Sequence, residues 1–320
     1  MKGKVLLIFV LLCACRSTFA KEFRLSVVNW NVQTFFDGTC DGCEYAEFKK
    51  SGAWSTDAYR VRLLRLCEAI RSMDADVFVL EEIENERILY DVTNNLSEAF
   101  WNSRRAWNYA FFTKNPGDAI GCAVLSRYPL EQPRLHTLDV RDGAKQPSLR
   151  TVTELTLRLP KERRMILVVN HWKSKAGGAE KSELWRDAQE SLLARAFARN
   201  RAAGYAVLAA GDFNRDLSEF AVDTDGKTVT LRDRWRTGVG VQVLSPWCMA
   251  EAGAGSYFYK GSWERIDHFF MSGEMRLSGF APVKDGPWCH QNDGTPYAYR
   301  IYSGRGYSDH LPIRCDLAFD

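Results

Sequence analysis

Eight short apolar runs, each of strand length, recur along the chain, and six acid-, amide- or histidine-bearing segments mark where those runs end or begin. The runs cover 25–32, 76–83, 119–126, 151–159, 165–170, 206–210, 266–271 and 311–317. Several are apolar almost throughout, as strands buried on both faces are. Two helical patterns lie between them. From Thr56, read as an N-cap, Tyr59, Leu63, Leu66 and Ile70 recur at helical spacing. From Glu180, Trp185, Ala188, Leu192 and Ala196 do the same until Gly204. Arg62, Arg65 and Arg71 are expected on a solvated helix face. Strands alternating with helices predict a layered α/β or α+β sandwich.

No repeat, low-complexity tract or long linker divides the chain, so a single domain is expected over 21–320, with a monomer as the default. Lys+Arg exceed Asp+Glu by 43 to 40, and Lys2, Lys4 and Arg16 in an acid-free leader supply the whole excess. The remaining body is formally neutral, so any nucleic-acid binding must rest on a local patch rather than a global basic field. The leader has two lysines, an apolar stretch over 5–12 and small or polar residues to Ala20, the pattern of a secretory signal over 1–20. It is too short for a membrane-spanning helix, which needs roughly 20 apolar residues. Cleavage after Thr18-Phe19-Ala20 gives a soluble exported protein. The run Leu12-Cys13-Ala14-Cys15 offers a lipobox, with Cys15 as a lipid anchor to a membrane; Arg16 and the short leader weigh against it. Either route exports the chain, to a secreted, periplasmic or surface-anchored location.

Nine cysteines agree with export without making a dense disulfide scaffold. Cys67 and Cys122 sit in apolar patterns and are expected as buried thiols. Cys40-Asp41-Gly42-Cys43 reads as a small-loop disulfide in preference to a zinc half-site, because no second ligand pair stands at the right spacing. Cys248 and Cys289, each after a Trp, are candidates to pair with each other.

Each polar strand end has a plain explanation, since Asp and Asn end strands by bonding nearby backbone. Six in one chain point further, because strand ends of layered α/β proteins converge on one rim. Asn31, Glu82, His171, Gly211-Asp212-Phe213-Asn214, Arg265-Ile266-Asp267-His268 and Ser308-Asp309-His310 together resemble the ordered signature of the endonuclease/exonuclease/phosphatase superfamily, the DNase-I-like metal-dependent phosphoesterases. The run His171-Trp172-Lys173-Ser174-Lys175, with Gly177-Gly178, Arg186 and Gln189 after it, is similar to the secreted bacterial nuclease branch. Glu81 departs from the pattern, which usually has Gln there; an added carboxylate is expected to alter metal affinity.

The resemblance implies a four-layer sandwich of two packed mixed β-sheets flanked by helices. It implies Asn31, Glu82 and Asp309 as metal ligands, and hard oxygen donors without thiolate favour Mg²⁺ or Mn²⁺ over Zn²⁺. Asp212 would orient or deprotonate the attacking water, with Asn214 holding the water or a phosphate oxygen. His310, oriented by Asp267, would contact the scissile phosphate, and His171 would be a second phosphate contact or a general acid. Lys173, Lys175 and Arg186 would bind phosphate or substrate, and Arg127, Arg186 and Arg215 would form the local basic patch.

The expected activity is phosphodiester hydrolysis, foremost by a nuclease cleaving DNA or RNA. A phospholipase C-type sphingomyelinase shares the fold, but its docking hairpin would have only Tyr257-Phe258-Tyr259, interrupted by Lys260. A surface binding protein without catalysis is the third reading, and it leaves the Asp267–His310 pair without a purpose. Most of the aromatic residues in 235–263 and 288–307 are expected to anchor loops, leaving one or two for substrate.

Overall fold

The computed structural model describes residues 22–99, 106–141, 147–235 and 240–320. The expected leader, with Cys13 and Cys15, lies outside them. The first strand, β1 (Phe23–Phe35), runs parallel to β2 (Val77–Ile83) and antiparallel to the last strand, β16 (Ile313–Phe319). β3 (Tyr109–Thr113), β4 (Gly121–Ser126) and β15 (Arg276–Pro282) complete a six-stranded sheet in the order β15-β16-β1-β2-β4-β3.

The second sheet has eight strands. Its first half is β5 (Leu130–His136), β6 (Val152–Arg158), β7 (Arg164–His171) and β8 (Ala206–Asp212). β14 (Asp267–Ser272), β11 (Gly240–Leu244), β10 (Thr228–Arg232) and β9 (Ala221–Val222) continue it in that order. A separate hairpin joins β12 (Tyr257–Tyr259) to β13 (Ser262–Glu264).

Alternation along the strands builds the layers. Val27, Val77 and Val79 face the second sheet and join Leu167, Leu208 and Phe269 in the core between the sheets. Their neighbours Val28, Phe78 and Leu80 face outward, against α2 (Thr56–Met73) and α3 (Glu86–Ala99). The short α1 (Ala46–Lys50) precedes α2, and α4 (Ala179–Ala202) covers the second sheet over β8, β10 and β11. Helices, sheet, sheet, helix: the four layers expected from the resemblance are present.

Local details differ from the sequence reading. The N-cap of α2 is Ser55, whose hydroxyl accepts from the Ala58 amide, and not Thr56. Cys67 and Cys122 are buried thiols as expected, but the other pairings are not formed. Cys40 and Cys43 are free and exposed, in a loop held by the Glu44 carboxylate, which accepts from the Asp41 and Gly42 amides. Cys248 and Cys289 are also free. Cys248 borders the core between the sheets, whereas Cys289 lies in the core under the helices.

Candidate active site

Three neighbouring strands of the second sheet set the site by register. His171 at the end of β7 pairs with Asp212 at the end of β8, and Asp212 pairs with Asp267 at the start of β14. The backbones approach closely at Gly211, with φ +153°, where a Cβ would lie 1.9 Å from the Asn170 carbonyl oxygen. Only glycine fits there. His171 Nε2 thereby comes to 3.6 Å from Asp212 Oδ2 and 3.9 Å from Glu82 Oε1.

The first sheet brings its own groups to the same rim. Asn31 Nδ2 donates to Glu82 Oε1 at 3.2 Å and across the sandwich to Asp212 Oδ2 at 3.1 Å. The β1–β2 register slips between Asn31 and Phe35, and Gln33, Thr34 and Glu82 all have positive φ. This bulge releases the Thr34 amide to donate to Glu82 Oε2 at 2.5 Å. The buried Arg62 guanidinium holds the strained strand, donating to the carbonyls of Val32, Gln33 and Thr34 and lying 3.8 Å from the Tyr299 ring centroid. Arg62 therefore corrects the expectation of a solvated face. Its spacing of three from Tyr59 and four to Leu66 was the signal available in the sequence.

The Ser308-Asp309-His310 segment is fixed by Ser308 Oγ, which donates to the Asn31 carbonyl at 2.5 Å, and by Trp30 Nε1, which donates to the His310 carbonyl at 3.0 Å. His310 Nδ1 meets Asp267 Oδ2 at 2.8 Å. Donor atoms of Asp212, Asp267 and His310 lie within 4.8 Å of one another. Asp309 is half-buried beside them, its carboxyl raised by burial and by Glu82 although His310 opposes the rise.

The two histidines are driven apart in charge. Burial works against a proton on His310, but the Asp267 contact, with Asp309 and Asp212, holds the imidazolium well above the usual range. Burial, with Arg150 and His310 adding, holds His171 well below it and hence neutral. Burial pushes Asp212 up to about 7, with His310 opposing and Asp267 adding. Glu81 is fully buried with both oxygens unpartnered, and burial, then Asp267 and Asp212, keep it protonated. It continues the inward row of Val77 and Val79. Glu81 is thus a buried acid behind the site and not on its rim.

Several expected substrate contacts are spent elsewhere. Arg186 is fully buried and donates to Ala179 O, Ser182 Oγ and Glu183, so it braces the first turns of α4 and does not face substrate. Arg215 is likewise buried, against Glu183, Asp187 and Glu190. Arg127 pairs with Asp74 and Asp76 beside the start of β2, at the far end of the sheet from Glu82. The expected patch of Arg127, Arg186 and Arg215 therefore does not exist. Lys175 is ion-paired with Glu219. Asn214, at φ +47°, donates its backbone amide and Nδ2 to Asp212 at 2.8 and 3.1 Å, so it orients that carboxylate. Lys173 is half-buried and lines a cavity of about 270 Å³ with Tyr45 and Arg150.

The arrangement fits a hard divalent cation. Glu82 and Asp212, from different sheets, both turn an oxygen to Asn31 Nδ2, so acidic oxygens from both sheets converge there. Glu82 and Asp309 supply oxygen donors, whereas Asn31 gives its Oδ1 to the Gln33 amide and would join them by turning its side-chain amide over; burial keeps the nearby Cys122 thiol protonated.

Residues 26–318 match the family model described as the Endonuclease/Exonuclease/phosphatase family. The chain belongs to this family. Family members of known structure share the fold at low identity. Truncated Caenorhabditis elegans TDP2 is 16% identical, with TM-score 0.58 over 93% of this chain and 98% of that one. A Bacteroides thetaiotaomicron endonuclease/exonuclease/phosphatase family protein is 15% identical, with TM-score 0.58 over 94% and 99%. D. rerio TDP2 complexed with single strand DNA product is 15% identical, with TM-score 0.56 over 92% and 98%. No match was found among curated protein sequences. Within this family frame, the residue missed by sequence reasoning is Arg150. It donates to the Trp172 carbonyl at 3.1 Å and acts electrostatically on His171, but it stands between apolar runs with no motif to mark it.

Proposed function

We propose that this chain is an exported, divalent-metal-dependent phosphodiester hydrolase whose substrate is nucleic acid, an endonuclease by the resemblance of its His171 to Lys175 segment. The observation that carries the reading is His310, bonded to Asp267 at 2.8 Å and within 4.8 Å of Asp212, which Asn31 links to Glu82 across the sandwich rim. A surface ion pair or a strand-end turn requires no such convergence. Export rests on the leader; cell fractionation tests it, and a cytoplasmic full-length protein would overturn it.

Asn31, Glu82 and Asp309 would hold Mg²⁺ or Mn²⁺. When bound, the cation supplies positive charge to the phosphate and the leaving oxygen. The chain's own groups do the rest. Asp212, raised to about 7 and oriented by Asn214, takes the proton of the attacking water. His310 offers a fixed positive charge and an N–H to a phosphate oxygen as negative charge grows. His171, held well below the usual range by burial, suits the first of its two expected roles, hydrogen bonding to phosphate, better than proton donation as an imidazolium. Lys173 and Arg150 add positive charge on the same side. The comparison with D. rerio TDP2 bound to single strand DNA product supports nucleic acid as the substrate class.

The test is a substrate panel with Mg²⁺ or Mn²⁺, with and without chelator. Divalent-dependent release of acid-soluble nucleotides is expected. Phosphocholine release in its place would favour the sphingomyelinase reading, and no hydrolysis of any phosphodiester would favour the non-catalytic one.

A further inference from the structure

The β12–β13 hairpin stands beside His310. Tyr257 makes an isolated antiparallel bridge with His310, and its ring lies 4.7 Å from the imidazole at a tilt of 38°. Along the strand Tyr257 and Tyr259 share one face, with rings 6.1 Å apart and within 18° of parallel. Phe258 points the other way and packs edge-on against Trp263 at 5.1 Å, where Lys284 also covers the Trp263 ring. Phe258 is 38% exposed on that side, and Tyr259 is 47% exposed at the outer end of a ring row that starts at His310. Lys260 turns the hairpin at φ +49° and holds its ammonium 5.1 Å from the Tyr259 ring.

Resting on the hydrolase reading above, we propose that Tyr257 and Tyr259 form a stacking subsite for the base of the nucleotide next to the scissile phosphate, and that the substrate is therefore an unpaired strand. The row is continuous with the phosphate-facing imidazole, so a nucleotide whose phosphate meets His310 has its neighbouring base beside the tyrosines. Flat rings with hydroxyl tips and an adjoining lysine suit a base and its phosphate. They lack the aliphatic bulk that insertion into a lipid surface requires. A base within a duplex has both faces covered by its neighbours, whereas an unpaired base has a face free for a tyrosine ring.

The experiment measures kcat/KM with Mg²⁺ on three substrates: a short single strand, the same strand with abasic residues flanking the cut bond, and its full duplex. The wild type is expected to prefer the intact single strand over the other two by about 5- to 100-fold, the range that loss of one stacked base gives. Tyr259→Ala should bring that preference to within about twofold, and Tyr259→Phe should retain it. An equal rate on all three substrates in the wild type, or an undiminished preference in Tyr259→Ala, overturns the subsite. Hydrolysis of a base-free phosphodiester with none of the strand overturns the subsite and leaves the hydrolase reading standing. A wild type inactive on every phosphodiester overturns both.

Discussion

His171 and His310 face one group of acids in different charge states, and the partners of each set the difference. Asp267 bonds His310 directly, while His171 has Nδ1 buried without a partner and arginine and imidazolium nearby. Replacing His310 or Asp212 by Ala should lower kcat by about 10²- to 10⁴-fold in a protein that still folds, since each acts at the reacting phosphate. Steady-state kinetics with a thermal melt check this; activity within a few-fold of wild type would contradict the roles given. Arg62→Met should cost about 3 kcal/mol by orphaning three buried carbonyls. It should also raise the Mg²⁺ concentration for half-maximal activity at least tenfold, because the bulge that aims Glu82 loses its clamp. A fully buried third histidine, His268, has no role in the chemistry: burial holds it down to about 4 although it bonds the Arg215 carbonyl. Its folded value lies below the unfolded 6.5, so the unfolded chain binds more protons between these values. Its stability contribution, about 3 kcal/mol, is full above pH 6.5 and lost as pH falls towards 4. Urea melts of wild type and His268→Gln between pH 7 and 4 should differ by that slope, and parallel curves would contradict it.

Among the elements, the β1–β2 bulge and the β7–β8 approach at Gly211 aim the side chains. Gly211→Ala should destabilise the fold by about 3 kcal/mol or more and abolish activity, because its Cβ would meet the Asn170 carbonyl; denaturant unfolding measures it. The strands that build the site were legible because they are buried on both faces, so β1, β2, β7, β8 and β14 read as apolar runs. β5 and β15 were not legible: they lie at sheet edges, half exposed, with Pro133 and Gly279 inside them. α3 carried a usable signal in Ile88, Leu89, Val92 and Leu96, all buried, but its polar neighbours Asp91, Asn94 and Asn95 obscured it. Motif residues at strand ends told where the chemistry gathers. They could not tell which arginines face it, since Arg186 and Arg215 differ from Arg150 only in the acids that tertiary packing sets around them.

At the scale of the molecule, a neutral body leaves few cations for a polyanion. With the buried arginines already paired, the cations at the site rim among the described residues are Lys173, Arg150 and Lys260. Binding of a single strand in the presence of chelator should therefore weaken with salt at a log–log slope of about −2, from two or three phosphate contacts. A slope steeper than about −5 would contradict so small a number of phosphate contacts. The most direct test of the whole account is cleavage of a single-stranded oligonucleotide by wild type, Glu82→Ala and His310→Ala, with Mg²⁺ and with chelator. The account predicts cleavage by the wild type with Mg²⁺ alone, and a loss of at least about 10²-fold in both variants while each still melts cooperatively. Cleavage that survives chelator, or that either variant retains, would contradict it.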